Sequence, residues 1–480
     1  MATMAAVDLG AQSGRVAVGT FDGARLTVTE THRFTNEPIR SAGALRWNVD
    51  ALYRNALDGL QAAGPVDSVA VDSWAVDFGL LDSKDRLIEN PVHYRDGRRA
   101  AAFDEVFERV PRRELYERTG IQLLPINTIF ELAGMATERD PALAAAARLL
   151  LIPDLFHQRL CGSVTTELTN ATTTQCFDPL AGTWAADLLE RLDIPVRLFP
   201  EVVPPGTVLG AAENGAKVVA VATHDTGSAV AAAPFARPGS VFLSFGTWSR
   251  VGVELDEPLI NDQTFDANLT NEGGVAGTTR LLRNLTGLWL LHECRRAWAE
   301  QGLEYSFDEL VELARSAPAF GPLIDPNAES FLEPGDMPSR IDEFCRTTGQ
   351  APPTGVGETV RCILESLALK HAETVDTLRR VAGVEPRELH VLGGGARNEL
   401  LCRWTAEAAG LPVLAGPEEA TVLGNLLVQA IALGEIGSIA EARDIVRSSF
   451  TPTVYEPSNT ESWREARDRF AGLQHAGVSA

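Results

Sequence analysis

Ala5-Ala6-Val7-Asp8-Leu9-Gly10-Ala11-Gln12-Ser13-Gly14-Arg15-Val16-Ala17-Val18-Gly19-Thr20 reads as a buried strand, a wide loop of small residues and a second strand. The same layout returns far downstream. Ser240-Val241-Phe242-Leu243-Ser244 is a strand, Phe245-Gly246-Thr247 a turn, and Trp248 to Leu255 a strand again. Two segments that each open on such a hairpin predict two similar domains, since the spacing is far longer than a solenoid repeat. The turn Ala236-Arg237-Pro238-Gly239 marks the boundary. The expected division is an N-terminal domain over 1–236, a C-terminal domain over 239–455 and a peripheral charged tail over 456–480.

Between and after the hairpins the pattern is α/β. Residues 69–73 and 218–222 are buried strands of small apolar residues. Thr128 to Leu151 is rich in Ala and Leu and reads as helical, with Pro141 starting a second helix. Residues 360–382 carry a helical apolar face. Leu389 to Leu392, Gly393-Gly394-Gly395, Asn398 to Ala409 and Leu411-Pro412-Val413 then form a strand–loop–helix–strand unit. Glu418 to Leu433 is a last long helix with a small-residue face at Ala420, Gly424 and Ala430.

Composition narrows the function. Of 480 residues 45% are hydrophobic, enough for large cores. A net charge of −23 argues against binding nucleic acid or an anionic membrane, both of which need basic patches. The N-terminus shows no basic leader, and no stretch of about 18 uncharged apolar residues occurs. A soluble cytoplasmic protein with mostly free thiols is expected. No CxxC pair suggests zinc, and Cys345 and Cys362 flank a loop that can bring them together, with the compartment favouring thiols over a disulfide.

A phosphate-loop nucleotidase is excluded, because the three lysines, at 84, 217 and 370, never follow a glycine. The dinucleotide fingerprint also fails, with Asn398 where its last glycine belongs. What remains is a set of loops suited to phosphate. Asp8 at a strand end can hold a hydrated magnesium ion, and Gly10 to Gly14 can bring backbone N–H groups to phosphate oxygens. Gly393-Gly394-Gly395 can do the same before a helix. His224-Asp225-Thr226 closes a strand. Asp225 reads equally as a helix cap and as a base for an attacking hydroxyl. Val71-Asp72-Ser73-Trp74-Ala75-Val76-Asp77-Phe78 mixes carboxylates and aromatics, which suits a sugar, although single aromatics are usually core.

In order, Asp8-Leu9-Gly10, His224-Asp225-Thr226, Ser244-Phe245-Gly246-Thr247-Trp248 and Gly393-Gly394-Gly395-Ala396-Arg397-Asn398 resemble the FGGY carbohydrate kinase family over residues 5–435. Longer strings, among them Ser73 to Asp82, Pro91 to Asp96, Thr169 to Gln175, Thr270-Asn271-Glu272-Gly273-Gly274 and Asn284 to Leu291, resemble the branch that acts on L-rhamnulose. The resemblance implies two ribonuclease-H-like domains of the actin/hexokinase/Hsp70 type, with ATP and sugar in an interdomain cleft. It implies a sugar-binding N-terminal domain, a nucleotide-binding C-terminal domain, and transfer of the ATP γ-phosphoryl to O1 of the ketose with Mg²⁺. Asp225 matches the general base. His224, Asp225, Thr226, Asn284 and the backbone at Ala75 match sugar contacts. Ala11, Gln12, Ser13, Gly14, Arg15, Thr247, His292 and Gly394 match nucleotide contacts, and Asp8 the metal ligand. Ala75 replaces a common glycine and His292 a usual glutamine. A kinase for another ketose such as L-fuculose, or a non-catalytic sugar- or nucleotide-binding regulator, stays open at this point.

Overall fold

The structure, a computed structural model, describes residues 2–476. It divides into two compact units. The first gathers the chain to Pro234 with Glu254–Leu281 and Glu419–Phe450; the second holds Phe235–Val253, Leu282–Glu418 and the chain from Thr451.

The first unit is organised by a sheet in the order Thr207–Ala211, Lys217–Ala220, Ser68–Ser73, Ala2–Leu9, Ser13–Phe21, Leu26–Thr35. The opening hairpin is as expected: Ala2–Leu9 pairs antiparallel with Ser13–Phe21, and Asp8 lies opposite Arg15. Ser68–Ser73 joins the other side of Ala2–Leu9 in parallel, with Asp72 beside Asp8. Burial on both faces explains why these two strands read as nearly unbroken apolar runs.

In the second unit Val241–Phe245 pairs antiparallel with Trp248–Leu255 and parallel with Leu389–Leu392. Leu389–Leu392 is followed by Val413–Ala415 in parallel and Thr453–Tyr455 antiparallel. Each unit is therefore a hairpin whose first strand takes a parallel neighbour on its far side. Parallel strands need long crossovers, and the chain supplies them as helices; the longest is Val356–Ala382.

Two expectations are corrected. Helix covers Thr128–Glu138 and Pro141–Ala145, but Arg148–Leu151 is a strand, paired antiparallel with Phe78–Leu81. The Leu run continues the composition of the helices before it, and only the distant partner strand decides its conformation. The expected peripheral tail is in fact packed. Thr460–Ala476 is a helix that buries Trp463, Ala466 and Phe470, and the Trp463 indole donates to Glu407 Oε2 at 2.8 Å. Residues 477–480 of that tail lie outside the described residues.

Helix Ala420–Leu433 uses its small-residue face to reach the helix Asp225–Ala231. A Cβ added at Gly424 would stand 1.7 Å from the Ser228 carbonyl oxygen, a backbone atom that no side-chain rotation can move. Gly424→Ala is expected to destabilise the protein by about 1–3 kcal/mol and to displace the helix that begins at Asp225. A thermal melt together with a turnover assay checks this; an unchanged midpoint and unchanged kcat would show that the two helices part without consequence.

Candidate functional site

In the first unit three carboxylates converge. Asp8 and Asp72 close adjacent parallel strands. Asp225 is brought to them because the chain after Lys217–Ala220 stays extended and bridges Ser73 at His224, with Ser73 N donating to Thr223 O at 2.9 Å. Burial raises the Asp8 carboxyl above its ordinary range against the pull of Arg15, and Asp225 adds to the rise. Burial, with Asp8 and Asp225 adding, raises Asp72 well above its range. Asp72 is anchored from helix Ala420–Leu433: Asn425 Nδ2 donates to its Oδ2 at 2.6 Å, and Gln429 holds Asn425 at 2.7 Å.

Asp225 does not cap its helix in the usual way. His224 occupies the cap position without a side-chain bond, and Asp225 is the first helical residue. Its Oδ1 accepts from the Thr226 N–H at 2.5 Å and from Thr226 Oγ1 at 3.0 Å. The side chain stays 26% exposed, unlike those of Asp8 and Asp72. The segment before it is held by Glu167, whose carboxylate takes the N–H and hydroxyl of both Thr169 and Thr223 at 2.5–2.9 Å. Burial pushes Glu167 up to about 7 against those four bonds. Nothing in the sequence singled out Glu167; its partner Thr223 lies 56 residues away.

The loop of residues 10–13 is tight. Gly10 N donates to Ser13 O at 2.9 Å, and Asn36 braces the turn through Gly10 O and Gln12 O. A Cβ at Gly10 would meet Ser13 O at 2.8 Å. Arg15 bonds Asp8 Oδ2 through Nε at 2.9 Å and pairs with Glu419. Its guanidinium is thus engaged inside the protein, while Ala11, Gln12 and Ser13 form the open turn.

Ala75 sits in a loop whose next residue, Val76, has φ +67°, a strained conformation for a β-branched residue. Thr128 Oγ1 donates to Val76 O at 2.6 Å. Asp77 accepts from the Trp47 and Trp74 indoles at 2.5 and 2.9 Å and from Arg99 at 2.5 Å. Trp74, Phe78 and Asp77 are thus buried supports, and only the loop they shape is open to a ligand.

The second unit carries the other expected residues. Gly287 N and Leu288 N donate to Thr247 O and Gly246 O at 3.1 and 2.8 Å, and His292 N donates to Leu288 O. Thr247 and His292 are therefore parts of one folded corner, with the His292 ring set edge-on to Phe307. Gly395 packs so closely that a Cβ would stand 2.3 Å from Phe245, whereas Gly394 is exposed with open space where a Cβ would be. Strand Val241–Phe245 thereby ends with Thr247 on one side and Gly394 on the other. Asn284, also in this unit, accepts from Arg250 Nε at 3.1 Å.

A divalent cation fits the carboxylates of the first unit. Asp72 Oδ1 is buried without a hydrogen-bond partner, and a positive charge nearby would favour both ionised carboxyls. Mg²⁺ usually keeps several waters and takes one or two carboxylates plus substrate phosphates. It does not require a protein-only cage, and none of three or more His, Cys, Asp or Glu is found among the described residues.

Residues 3–226 match the family model for the N-terminal domain of the FGGY family of carbohydrate kinases, and residues 241–433 match its C-terminal domain. A rhamnulokinase of Bacteroides thetaiotaomicron is 40% identical over 97% of this chain and 98% of its own length. A rhamnulokinase of Pectobacterium carotovorum is 41% identical over 98% and 96%. Among solved structures, a ligand-bound xylulose kinase of Lactobacillus acidophilus superposes with a TM-score of 0.81 at 15% identity, covering 100% of this chain and 99% of that one. A Plasmodium falciparum glycerol kinase with ADP gives 0.76 at 14% identity, over 99% and 97%. At those identities the likeness is one of fold. No helix among the described residues is long and apolar enough to cross a membrane.

Proposed function

The chain belongs to the FGGY family of carbohydrate kinases, and from that membership we propose that it phosphorylates L-rhamnulose at O1 with ATP, giving L-rhamnulose 1-phosphate and ADP in L-rhamnose breakdown. The observation that carries the sugar is the near-full-length similarity to relatives named rhamnulokinase. The geometry supports the chemistry. Asp225 is the partly open carboxylate of the three, and it takes the proton of the attacking hydroxyl as the sugar oxygen meets the γ-phosphorus. His224, Thr226, Asn284 and the Ala75 backbone hold the sugar. Residues 11–15, Thr247, His292 and Gly394 hold the nucleotide.

Asp8, backed by Asp72, would hold Mg²⁺, which supplies charge neutralisation at the phosphates when bound. Arg15 serves that site indirectly by orienting Asp8. The reaction belongs in the cytoplasm, where ATP is abundant and the six free cysteines stay reduced.

An ADP-release assay across L-rhamnulose, L-fuculose, L-ribulose and D-xylulose tests the substrate. L-Rhamnulose is expected to exceed the others in kcat/KM by at least about 100-fold, because a site built to bond one hydroxyl leaves buried groups unpaired with an epimer. Turnover of another of these sugars with L-rhamnulose inactive would overturn the assignment.

A further inference from the structure

The string Thr270-Asn271-Glu272-Gly273-Gly274 has no part in the reaction described so far, yet it delivers a carboxylate to the histidine beside Asp225. Glu272 Oε2 lies 3.2 Å from His224 Nδ1 and 3.2 Å from Arg280 Nη1. Arg280, fully buried, fixes its guanidinium plane by donating from Nε to Gly273 O at 2.9 Å, and its Nη2 reaches His224 Nδ1 at 3.3 Å. On the other side of the ring, His224 Nε2 is 3.3 Å from Asp225 Oδ1. That contact lacks hydrogen-bond geometry: Nε2 is buried and makes no hydrogen bond among the described residues. Burial holds His224 below its ordinary pKa, against the opposite pull of Glu272, so the ring is neutral near pH 7.

A neutral imidazole carries one N–H, and its partners decide where. A guanidinium has only N–H donors, so its approach to Nδ1 calls for a lone pair there. The Asp225 carboxylate beside Nε2 favours a hydrogen on that nitrogen, since a lone pair would face negative charge. Glu272 could instead accept a hydrogen bond from Nδ1, but its Oε2 also pairs with Arg280 Nη1, and the Arg280 Nη2 donor competes for the same ring nitrogen.

We infer that Arg280, backed by Glu272, is a positioning residue that holds His224 in the tautomer protonated at Nε2, so that this nitrogen donates to a sugar oxygen while Asp225 alongside accepts a proton. The inference rests on the reading above that His224 and Asp225 meet the sugar. It divides the two polar atoms by sign: one donor and one acceptor, side by side, each with a fixed role. The ketose oxygen adjacent to the one being phosphorylated accepts from Nε2, and an analogue lacking that oxygen leaves Nε2 unpaired.

Long-range ¹H–¹⁵N correlation on ¹⁵N-histidine-labelled protein reads the tautomer directly. The His224 signal, one of eight histidines, is identified by its loss in His224→Gln. The expected wild-type pattern is Nε2 protonated and Nδ1 bare. Arg280→Met leaves Glu272 as the partner of Nδ1, so the ring proton sits on Nδ1 and donates to that carboxylate, which inverts the pattern and lowers kcat/KM for the sugar about tenfold, the low end for an outer partner of a working histidine. The KM for ATP stays unchanged. Arg280→Lys, which still donates to Nδ1, restores the tautomer and most of the activity. A wild-type spectrum with Nδ1 protonated overturns the inference, and so does an Arg280→Met spectrum that keeps the wild-type pattern. Should Arg280→Met fail to fold, the wild-type and Arg280→Lys spectra decide. Nε2 protonated in a protein that turns over none of the sugars would leave the tautomer assignment standing and remove the reading of function.

Discussion

Asp225→Asn is expected to lower kcat for sugar phosphorylation by at least about 100-fold, and by as much as about 10⁴-fold, the range for a positioned acid–base group. The substitution is close to isosteric. The amide oxygen can still accept from the Thr226 N–H and Oγ1, so the first turn of helix Asp225–Ala231 keeps its local bonds. What is lost is the capacity to take a proton. Nucleotide affinity, measured by calorimetry or a fluorescent analogue, should stay near wild type. Stability should not fall either. Asp225 adds to the burial-driven rise of both Asp8 and Asp72, so removing its charge relieves a repulsion that the folded state tolerates for function. A variant that keeps kcat within about tenfold of wild type would place the base elsewhere.

The hairpins were legible because their signal is local. Apolar residues fill Ala5 to Leu9 except for Asp8, and fill Val16 to Val18, and the small loop between can only be a turn. Arg148–Leu151 was not, because its strand conformation comes from pairing with Phe78–Leu81, about 70 residues away. The tail was legible in principle. Trp463, Ala466 and Phe470 stand at helical spacing, and surrounding charges hid a buried face.

The same division holds at the site. Asp8, Asp225 and the glycine loops sit at element ends, where sequence punctuates structure. The residues that support them do not. Asn425 reaches Asp72 across 353 positions of sequence, and Arg280 reaches His224 across 56. Nothing in the local pattern of an Asn inside an apolar helix, or an Arg inside a strand, announces such a partner. The helix pattern around Asn425 does carry one clue, since a fully buried polar residue must find a partner. Asp77 shows the opposite case. Its string suggested a sugar contact, and its carboxylate is instead committed to two indoles and an arginine.

That commitment sets the second large effect. Arg99→Met is expected to destabilise the protein by about 3–5 kcal/mol, the cost of leaving buried charge without its partner. Arg99 is 1% exposed and lies 2.5 Å from both Asp77 and Glu131, themselves buried. Methionine fills similar space, so the loss is electrostatic rather than a cavity. Burial, opposed by Arg99, already pushes Glu131 up to about 7. A carboxyl whose folded pKa lies above its unfolded value binds protons more tightly when folded. Between about pH 4.5 and 7 the folded state therefore holds more protons, and stability falls as pH rises through that window. Without Arg99 the Glu131 pKa rises further and the window extends upward. The deficit of the variant relative to wild type should be larger at pH 8 than at pH 5, where protonation removes the uncompensated charge. Glu131→Leu added to Arg99→Met should recover part of the loss, because one buried carboxylate is then gone. The effect should also reach the sugar. Asp77 fixes the Trp74 indole and, through it, the strained turn at Ala75 and Val76, so the surviving folded enzyme should show a raised KM for sugar and an unchanged KM for ATP. Thermal melts at the two pH values and steady-state kinetics test both parts. A pH-independent deficit would mean that packing, not the ion network, is what Arg99 provides.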